Sequence, residues 1–454
     1  MTSDGKGVRA MRWWQGLMMA GAAMVATGEV AAKDLLISNV TLIDGTGAAP
    51  LPGASVLVSG DRIALIAPGT IQAPAGAMKI DGTGKYLLPG LIDSHIHLVG
   101  GRMPKEGGGT YVDKPLAIRT LQGFLNAGVT SVYDSGNNAD FIFEMRADER
   151  AGKFPSPRIF AAGAVITAPG GYGDSVFGLT VSDVKTDRAK LQAQFDRKPD
   201  LQKILFDELG NYGTATAPVF SEETFAGIIK MANSNGIPTT VHAASESESA
   251  ESIDAGIDGF AHPVRSVITD GFAKRVAAKR IPVSTTMAVF YHIATIADHP
   301  EFLETPLFKA SVDPAELQKQ RTTERQRYIN SGMAAQFKIQ NPYSAKTIKK
   351  LFDNGVILTA GTDRTWGASL HMELDLLAKA GIPLLPLTRI ATLNGAIYLH
   401  KEKDLGSIER GKLADLLLLN ADPTKDVAAY GAIAAVFKNG EPIEIKPLDT
   451  MTAK

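Results

Sequence analysis

Two imidazoles stand one residue apart, His95 and His97, in LPGLIDSHIHLVGG (88–101), behind a short apolar run and ahead of a glycine pair. On an extended strand, side chains at i and i+2 project to one face, so the pair can grip a single cation between two ring nitrogens. A buried structural pair is the competing explanation, since imidazole serves both uses. Four further residues of metal-competent type fall on other short apolar runs: His242, His262 and Asp363 at their ends, Lys203 inside one. An ammonium inside such a run is costly unless it is neutralised. The chain has no cysteine, which excludes disulfides, thiol nucleophiles and thiolate metal sites and leaves His, Asp, Glu and Lys as donors.

The elements that must position these residues alternate. Short apolar or β-branched runs at 90–97, 128–134, 157–163, 201–207, 237–243, 256–262, 281–287 and 355–363 are separated by helix-like amphipathic stretches. Eight such units predict an α/β fold, a parallel (β/α)8 TIM barrel over residues 89–401, with a doubly wound open sheet as the alternative. In a barrel the C-terminal strand ends share one mouth, where active sites are built, and His95, His97, Lys203, His242, His262 and Asp363 would converge there. Helical sequence such as DPAELQKQRTTERQRYI between the seventh and eighth runs reads as an insertion over one mouth.

At the two ends of the chain, LLISNVTLIDGTG, ASVLVSGDRIALIAPG, GSIERGKLADLLLLNADP and IAAVFKNGEPIEI alternate apolar and polar residues around tight turns, among them Asn439-Gly440. Residues 33–88 and 402–454 are therefore expected to form one small composite β-sandwich domain. Ahead of it, Arg9 and Arg12 precede an apolar stretch from Leu17 to Ala26 and the small residues of EVAAK, the pattern of a secretory signal over 1–32, with Met11 an alternative start. The apolar run is too short to span a bilayer. A periplasmic or secreted protein without a stable membrane anchor is expected. With Lys+Arg 47 against Asp+Glu 48 in 454 residues, the net charge is -1 and no basic run suggests nucleic acid, so a small-molecule substrate is the expected partner. A homo-oligomer is also expected.

PGLIDSHIH, KILF, TVHAAS, GFAHP, AGTD and the closing ATLNGA…LGSIERGKLADLLLLNADP together resemble the metal-dependent amidohydrolase superfamily over about residues 35–445. Within it the chain is most similar to the Xaa-Pro dipeptidase-like and imidazolonepropionase-related branch. The resemblance implies two divalent ions, zinc being expected, with His95, His97 and Asp363 on the more buried ion and His242 and His262 on the outer one. Lys203 would bridge both as a carboxylated lysine, an anionic carbamate rather than a repelling ammonium; a lysine snorkelling to solvent is the bland alternative. The ions would bring the pKa of a shared water toward neutrality and polarise the scissile carbonyl, and Asp363 would move the proton to the leaving nitrogen.

Substrate contacts are less determined. Tyr172, in ITAPGGYGDS, stands where dipeptidase-like relatives tend to have histidine, yet can donate a hydrogen bond to a carbonyl or carboxylate. Tyr133 stands in SVYD where an arginine is usual, which leaves a role for Asp134 in doubt. Tyr212 is a second candidate for the carbonyl, or a surface tyrosine. His292 is a pocket electrophile or a loop histidine. Arg265 and Arg364 closely follow expected ligands and can hold a substrate carboxylate in two prongs, or balance the acidic shell. Trp366 and the tyrosines would suit an apolar or aromatic acyl group. His299, His371 and His400 read as structural or solvated. The glycine-rich loop after His97 is a lid or a linker.

The expected activity is hydrolysis of an amide bond in a small peptide or N-acyl amino acid. A cyclic-amide hydrolase or one-metal deaminase is the alternative, although deaminase-like relatives carry a glutamate where Ser245 stands, one residue before Glu246, and lack the bridging lysine. A scaffold that has lost its chemistry is the non-enzyme alternative.

Overall fold

LIDSHI and VTSVYD are buried at every residue, as strands are when both faces of a parallel sheet are covered by helices or core. A computed structural model describes residues 34–105, 108–174, 178–210 and 215–448. The expected signal segment and Tyr212 lie outside the described residues.

Five strands open the described chain: β1 (Leu35–Leu42), β2 (Leu51–Ser59), β3 (Arg62–Pro68), β4 (Met78–Asp81) and β5 (Tyr86–Pro89). Strand β6 (Leu91–Ile96) follows directly, and β7 (Met103–Pro104) with β8 (Thr110–Tyr111) makes a small antiparallel ladder in the loop after His97. Then come β9 (Val129–Asp134), β10 (Arg158–Ala161), β11 (Val165–Thr167), β12 (Gly178–Thr180), β13 (Gln202–Leu205), β14 (Thr239–His242), β15 (Gly259–Phe260), β16 (Val283–Ser284) and β17 (Leu358–Thr359). The last strands are β18 (Leu416–Leu419), β19 (Ile433–Lys438) and β20 (Glu441–Pro442).

The pairing sorts these into two architectures. β18, β19 and β20 from the end of the chain join β1 to β5 from its beginning in one eight-stranded sheet, with β18 antiparallel to β5. Its inward residues, Ile37, Val56, Leu87, Leu416 and Phe437 among them, form a core of their own. In the middle of the chain β6, β9 and β10 pair in parallel, as do β12, β11 and β13 through β17 in that spatial order. This is a TIM-barrel-like α/β arrangement. Past β17 the backbone meets β6: Ser94 N–H donates to Ala360 O at 2.9 Å and Asp363 N–H to His95 O at 2.8 Å. The third run is longer than its sequence suggested. It breaks after β10, where Gly163 takes a positive φ of 74°, and resumes as β11 beside β13.

Helices between the strands start and stop on local chemistry. The helix Glu246–Ala255 after β14 has a capping box between Ser245 and Glu248 and ends on the left-handed Gly256, devices worth about 0.5–2 kcal/mol for the N-terminal cap. Glu222–Ser234 after β13 is capped by Ser221 and buries Phe225 against Phe206, their rings stacked 4.2 Å apart. The insertion between β16 and β17 includes the helices Ala288–Ile296, Pro306–Ser311, Pro314–Lys319, Arg325–Asn330 and Met333–Asp353. It has its own apolar cluster around Ile293, Leu303, Phe308 and Phe337, into which Trp366 also packs. Among the described residues no helix is long and apolar enough to cross a membrane.

Candidate metal centre

All six expected ligands come together at the C-terminal ends of the parallel strands. His95 is in β6 with His97 just past it, Lys203 is in β13, His242 ends β14, His262 follows β15 and Asp363 follows β17. The ligand atoms of His95, His97 and Asp363 lie within 4.8 Å of one another. His95 and His262 have ring centroids 4.5 Å apart, and His262 and His242 are 4.4 Å apart. The Lys203 amine is 3.4 Å from His95 Nε2 and 3.2 Å from Ser135 Oγ.

Neighbouring acceptors orient the rings. His95 Nδ1 is 2.9 Å from the Ala261 carbonyl and His97 Nδ1 is 2.7 Å from the Gly136 carbonyl. A carbonyl oxygen only accepts, so each Nδ1 carries a proton and each ring, when neutral, turns its Nε2 lone pair inward. Those two lone pairs face Asp363 Oδ1 at 3.6 and 3.3 Å. Three electron-rich atoms converging at that range need a proton or a cation among them, and the donor set of two imidazoles and a carboxylate fits a divalent transition metal. His242 Nε2 donates to the buried Asp207 Oδ2 at 2.8 Å, and His262 Nδ1 pairs with Thr286 Oγ1 at 2.9 Å.

The backbone around the site is strained where it is needed. Asp363 sits at φ 52° and Thr286 at φ 37°, a left-handed region that costs a β-branched residue most. Asp93, fully buried, accepts from the Thr362 hydroxyl at 2.8 Å, from Thr362 N–H at 3.1 Å and from His95 N–H at 3.2 Å, clamping the first strand to the eighth. Gly361 has no room for a side chain, since a Cβ there would stand 2.1 Å from Ser284 Oγ and 2.9 Å from His95 Cβ.

Burial, then the Lys203 charge, holds His95 well below the usual imidazole range, and burial with His242 and His95 does the same for His262. Both rings are thus neutral donors. Burial opposes protonation of His97, but the hydrogen bond and charge of Asp363 outweigh it and raise its pKa. Burial pushes Asp363 up, while His95, His97 and Lys203 pull it further down, well below the ordinary carboxylate range. Burial brings the Lys203 amine from its ordinary 10.5 to about 7, against the opposing charges of Asp363 and Asp134.

A cavity of about 250 Å3 opens beside these groups, lined by His97, Lys203, His242, His262 and Asp363 together with Val165, Tyr172, Gly173 and Leu205. The Tyr172 ring lies 5.1 Å from that of His242. Enclosure, Asp363 and Asp207 push its hydroxyl pKa up to about 12; with 43% of the residue exposed, solvent screens part of that, but the hydroxyl remains a protonated donor.

Of the other expected substrate residues that are described, none lines this cavity. His292 is neither a loop histidine nor, among the described residues, part of this wall: it is buried in the helix Ala288–Ile296, 3.1 Å from Gln320 Oε1 and packed on Phe302 and Trp366. Arg265 is buried with its guanidinium 3.3 Å from the Phe290 ring centre, and Arg364 stacks over Trp366 at 4.1 Å. Trp366 therefore braces the insertion rather than the mouth. Tyr133 is buried and donates to Leu201 O at 2.7 Å, and Asp134 accepts from the backbone of Leu98 and Gly136, tightening the turn whose carbonyl orients His97. His371 is structural, 2.7 Å from the Ala127 carbonyl through Nε2. Sequence reasoning missed Asp93, Asp207 and Thr286. The one available signal was a carboxylate or hydroxyl just past or within an apolar run.

Comparison with known proteins agrees with this geometry. The amidohydrolase family profile matches residues 86–443. An imidazolonepropionase from Cutibacterium acnes is 24% identical over 421 residues, 85% of this chain and 89% of that protein. An adenine deaminase from Rubrobacter xylanophilus is 34% identical over 107 residues, so that match covers 23% of this chain and only 17% of the relative. A crystal structure of a Xaa-Pro dipeptidase with methionine bound in its active site superposes with a TM-score of 0.74 at 22% identity, covering 91% of this chain and all of the other.

Proposed function

The chain belongs to the amidohydrolase family, and from that premise we propose that it is a metal-dependent hydrolase of carbon-nitrogen bonds, cleaving an amide in a small peptide or N-acyl amino acid. The observation that carries this reading is the convergence of the His95 and His97 lone pairs on Asp363, with the Lys203 amine beside them. Residues 89–401 would form the closed (β/α)8 barrel that presents the site, with residues 33–88 and 402–454 as a β-sandwich domain.

His95, His97 and Asp363 would hold one divalent ion, expected to be zinc, and His242 and His262 a second. Lys203 would link the two after carboxylation. That reaction needs a neutral amine, and a pKa near 7 supplies one at physiological pH: the nitrogen lone pair adds to carbon dioxide, a proton leaves, and an anionic carbamate results. When bound, such a pair of ions supplies Lewis acidity at the scissile carbonyl and a lowered pKa for the attacking water. Asp363 takes the proton of that water and returns it to the leaving nitrogen. Tyr172 donates a hydrogen bond to a carbonyl or carboxylate of the substrate. A one-metal deaminase has no use for Lys203, and a silent scaffold has no reason to keep Asp363 strained at φ 52°.

Metal analysis of protein prepared with zinc and bicarbonate is expected to give about two ions per chain, with loss of dipeptide or N-acyl amino acid hydrolysis on chelation and recovery on readdition. One ion per chain, or no turnover across dipeptides, N-acyl amino acids and cyclic amides, refutes the reading.

Asp207 adds a selective prediction. It holds the His242 ring by its Nε2 proton, which fixes the orientation of the other nitrogen. Asp207→Ala is expected to weaken one zinc ion by about 10–100-fold while leaving the ion on His95, His97 and Asp363 tight. Competition titration against a zinc chelator reads both steps, and two unchanged affinities would remove Asp207 from the centre.

A further inference from the structure

We propose that Val165 and Leu205 make this site selective for amides whose acyl group is compact, uncharged and apolar. The inference rests on the hydrolase reading above and deepens it. Strands β11 and β13 pair through Ile166 and Ile204, both fully buried in the core outside the strands. Side chains alternate along a strand, so Val165 and Leu205 point to the opposite face, the face that also carries Lys203. Leu205 stands two residues beyond that lysine, one step nearer the mouth, and both apolar side chains line the cavity.

Two glycines let the chain close on this wall. A Cβ at Gly136 would stand 2.4 Å from Val165 Cγ1, so the turn that orients His97 rests directly against Val165. A Cβ at Gly173 would stand 2.7 Å from Leu205 Cδ1 and 3.8 Å from Val165 Cγ2, so the segment carrying Tyr172 lies down on both. Backbone thus lies close against both side chains. Among the described residues, no charged side chain lines the cavity apart from the ion-holding set. A carboxylate or ammonium on the acyl group would be stripped of water against this wall, where neither Val165 nor Leu205 offers it a polar partner.

The position of the wall decides which half of the substrate it reads. Asp363 follows the eighth strand, and the leaving nitrogen must reach it to receive its proton. The acyl substituent lies on the other side of the carbonyl carbon and so extends toward the third and fourth strands, which carry Val165 and Leu205. The cavity of about 250 Å3 equals the liquid volume of about eight waters, part of which goes to the reacting water. That suits a branched aliphatic or phenyl group.

Binding of acyl hydroxamates to the zinc-loaded full chain, followed by calorimetry, reads this preference without requiring turnover. Butanoyl and benzoyl hydroxamates are expected to bind at least tenfold tighter than the succinyl and β-alanyl ones. Val165→Thr, which keeps the volume and adds a hydroxyl, and Leu205→Ala should each cut that ratio about fivefold or more. Hydrolysis of the same acyl groups on alanine separates the two readings. If the hydroxamate preference holds and no acyl-alanine is cleaved, the hydrolase reading fails and the apolar wall stands. If cleavage proceeds with equal kcat/KM for succinyl and butanoyl groups, or if all four hydroxamates bind alike, the wall has no selective role.

Discussion

Asp363→Asn, if it still folds and binds metal, is expected to turn over substrate on the order of 10³–10⁴-fold more slowly than the wild type. The substitution keeps the side-chain shape and one oxygen donor, so the contacts facing His97 Nε2 at 3.3 Å and His95 Nε2 at 3.6 Å can persist with a metal between them. What it removes is the capacity to accept and return a proton. The carboxylate is held firmly in place. Its backbone N–H donates to His95 O at 2.8 Å, its neighbour Thr362 is clamped by Asp93, and its own φ of 52° is tolerated because these bonds outweigh the strain. Zinc content measured on the assayed sample separates the explanations: full zinc with lost turnover assigns the proton transfer to Asp363. Full zinc with activity within tenfold of wild type would give that role to another group.

The sequence makes the repeated strand-helix unit and the candidate ligands at strand ends legible because both follow simple periods. An apolar run of six or seven residues ending in His or Asp is a local pattern, and eight runs in succession leave few ways to arrange them. Lys203 stood out for the opposite reason, as a charge inside an apolar run. The orienting groups were not legible. Asp207 meets His242 across 35 residues and Asp93 meets Thr362 across 269, and no spacing rule selects either from 48 acidic residues. Thr286 is harder still, since its use depends on a backbone conformation that a threonine disfavours.

The expected substrate residues diverged from the structure for a related reason. Arg265, Arg364 and Trp366 are near expected ligands in sequence and His292 follows the seventh run, positions that point to the mouth. The insertion before the eighth strand is itself an apolar body, and it recruits Trp366 and, through Phe290 and Phe337, the guanidinium of Arg265. Flat aromatic faces attract a guanidinium about as well as an exposed carboxylate does, so an arginine beside such a cluster is drawn onto it. Val165 and Leu205, by contrast, carry no distinguishing signal in the sequence, because a strand residue facing a site and one facing a core can both be apolar.

Lys203→Met is expected to do two opposite things. In the presence of zinc it should abolish the paired centre, since methionine can form no carbamate. In chelator at pH 7 it should make the protein more stable, by about 2–5 kcal/mol, because the wild type then buries an amine in place of an apolar group. The sign follows from linkage. Unfolded, Lys203 titrates near 10.5; folded and metal-free, it titrates near 7. Between those values the unfolded chain binds the extra proton, so wild-type stability rises with pH across that window and the full penalty applies below it. At about 1.4 kcal/mol per pH unit the gap is on the order of 5 kcal/mol, an upper figure that water entry reduces. The methionine variant lacks that slope, so the two metal-free proteins should differ most near pH 7 and converge toward pH 10. Thermal unfolding in chelator at pH 7 and 9.5 tests both halves of the argument. A variant less stable than wild type at pH 7 would mean that the amine is already satisfied without metal, with Ser135 as its partner, and that the centre is not organised around the lysine. Added zinc should reverse the order by stabilising only the chain that can bind both ions tightly.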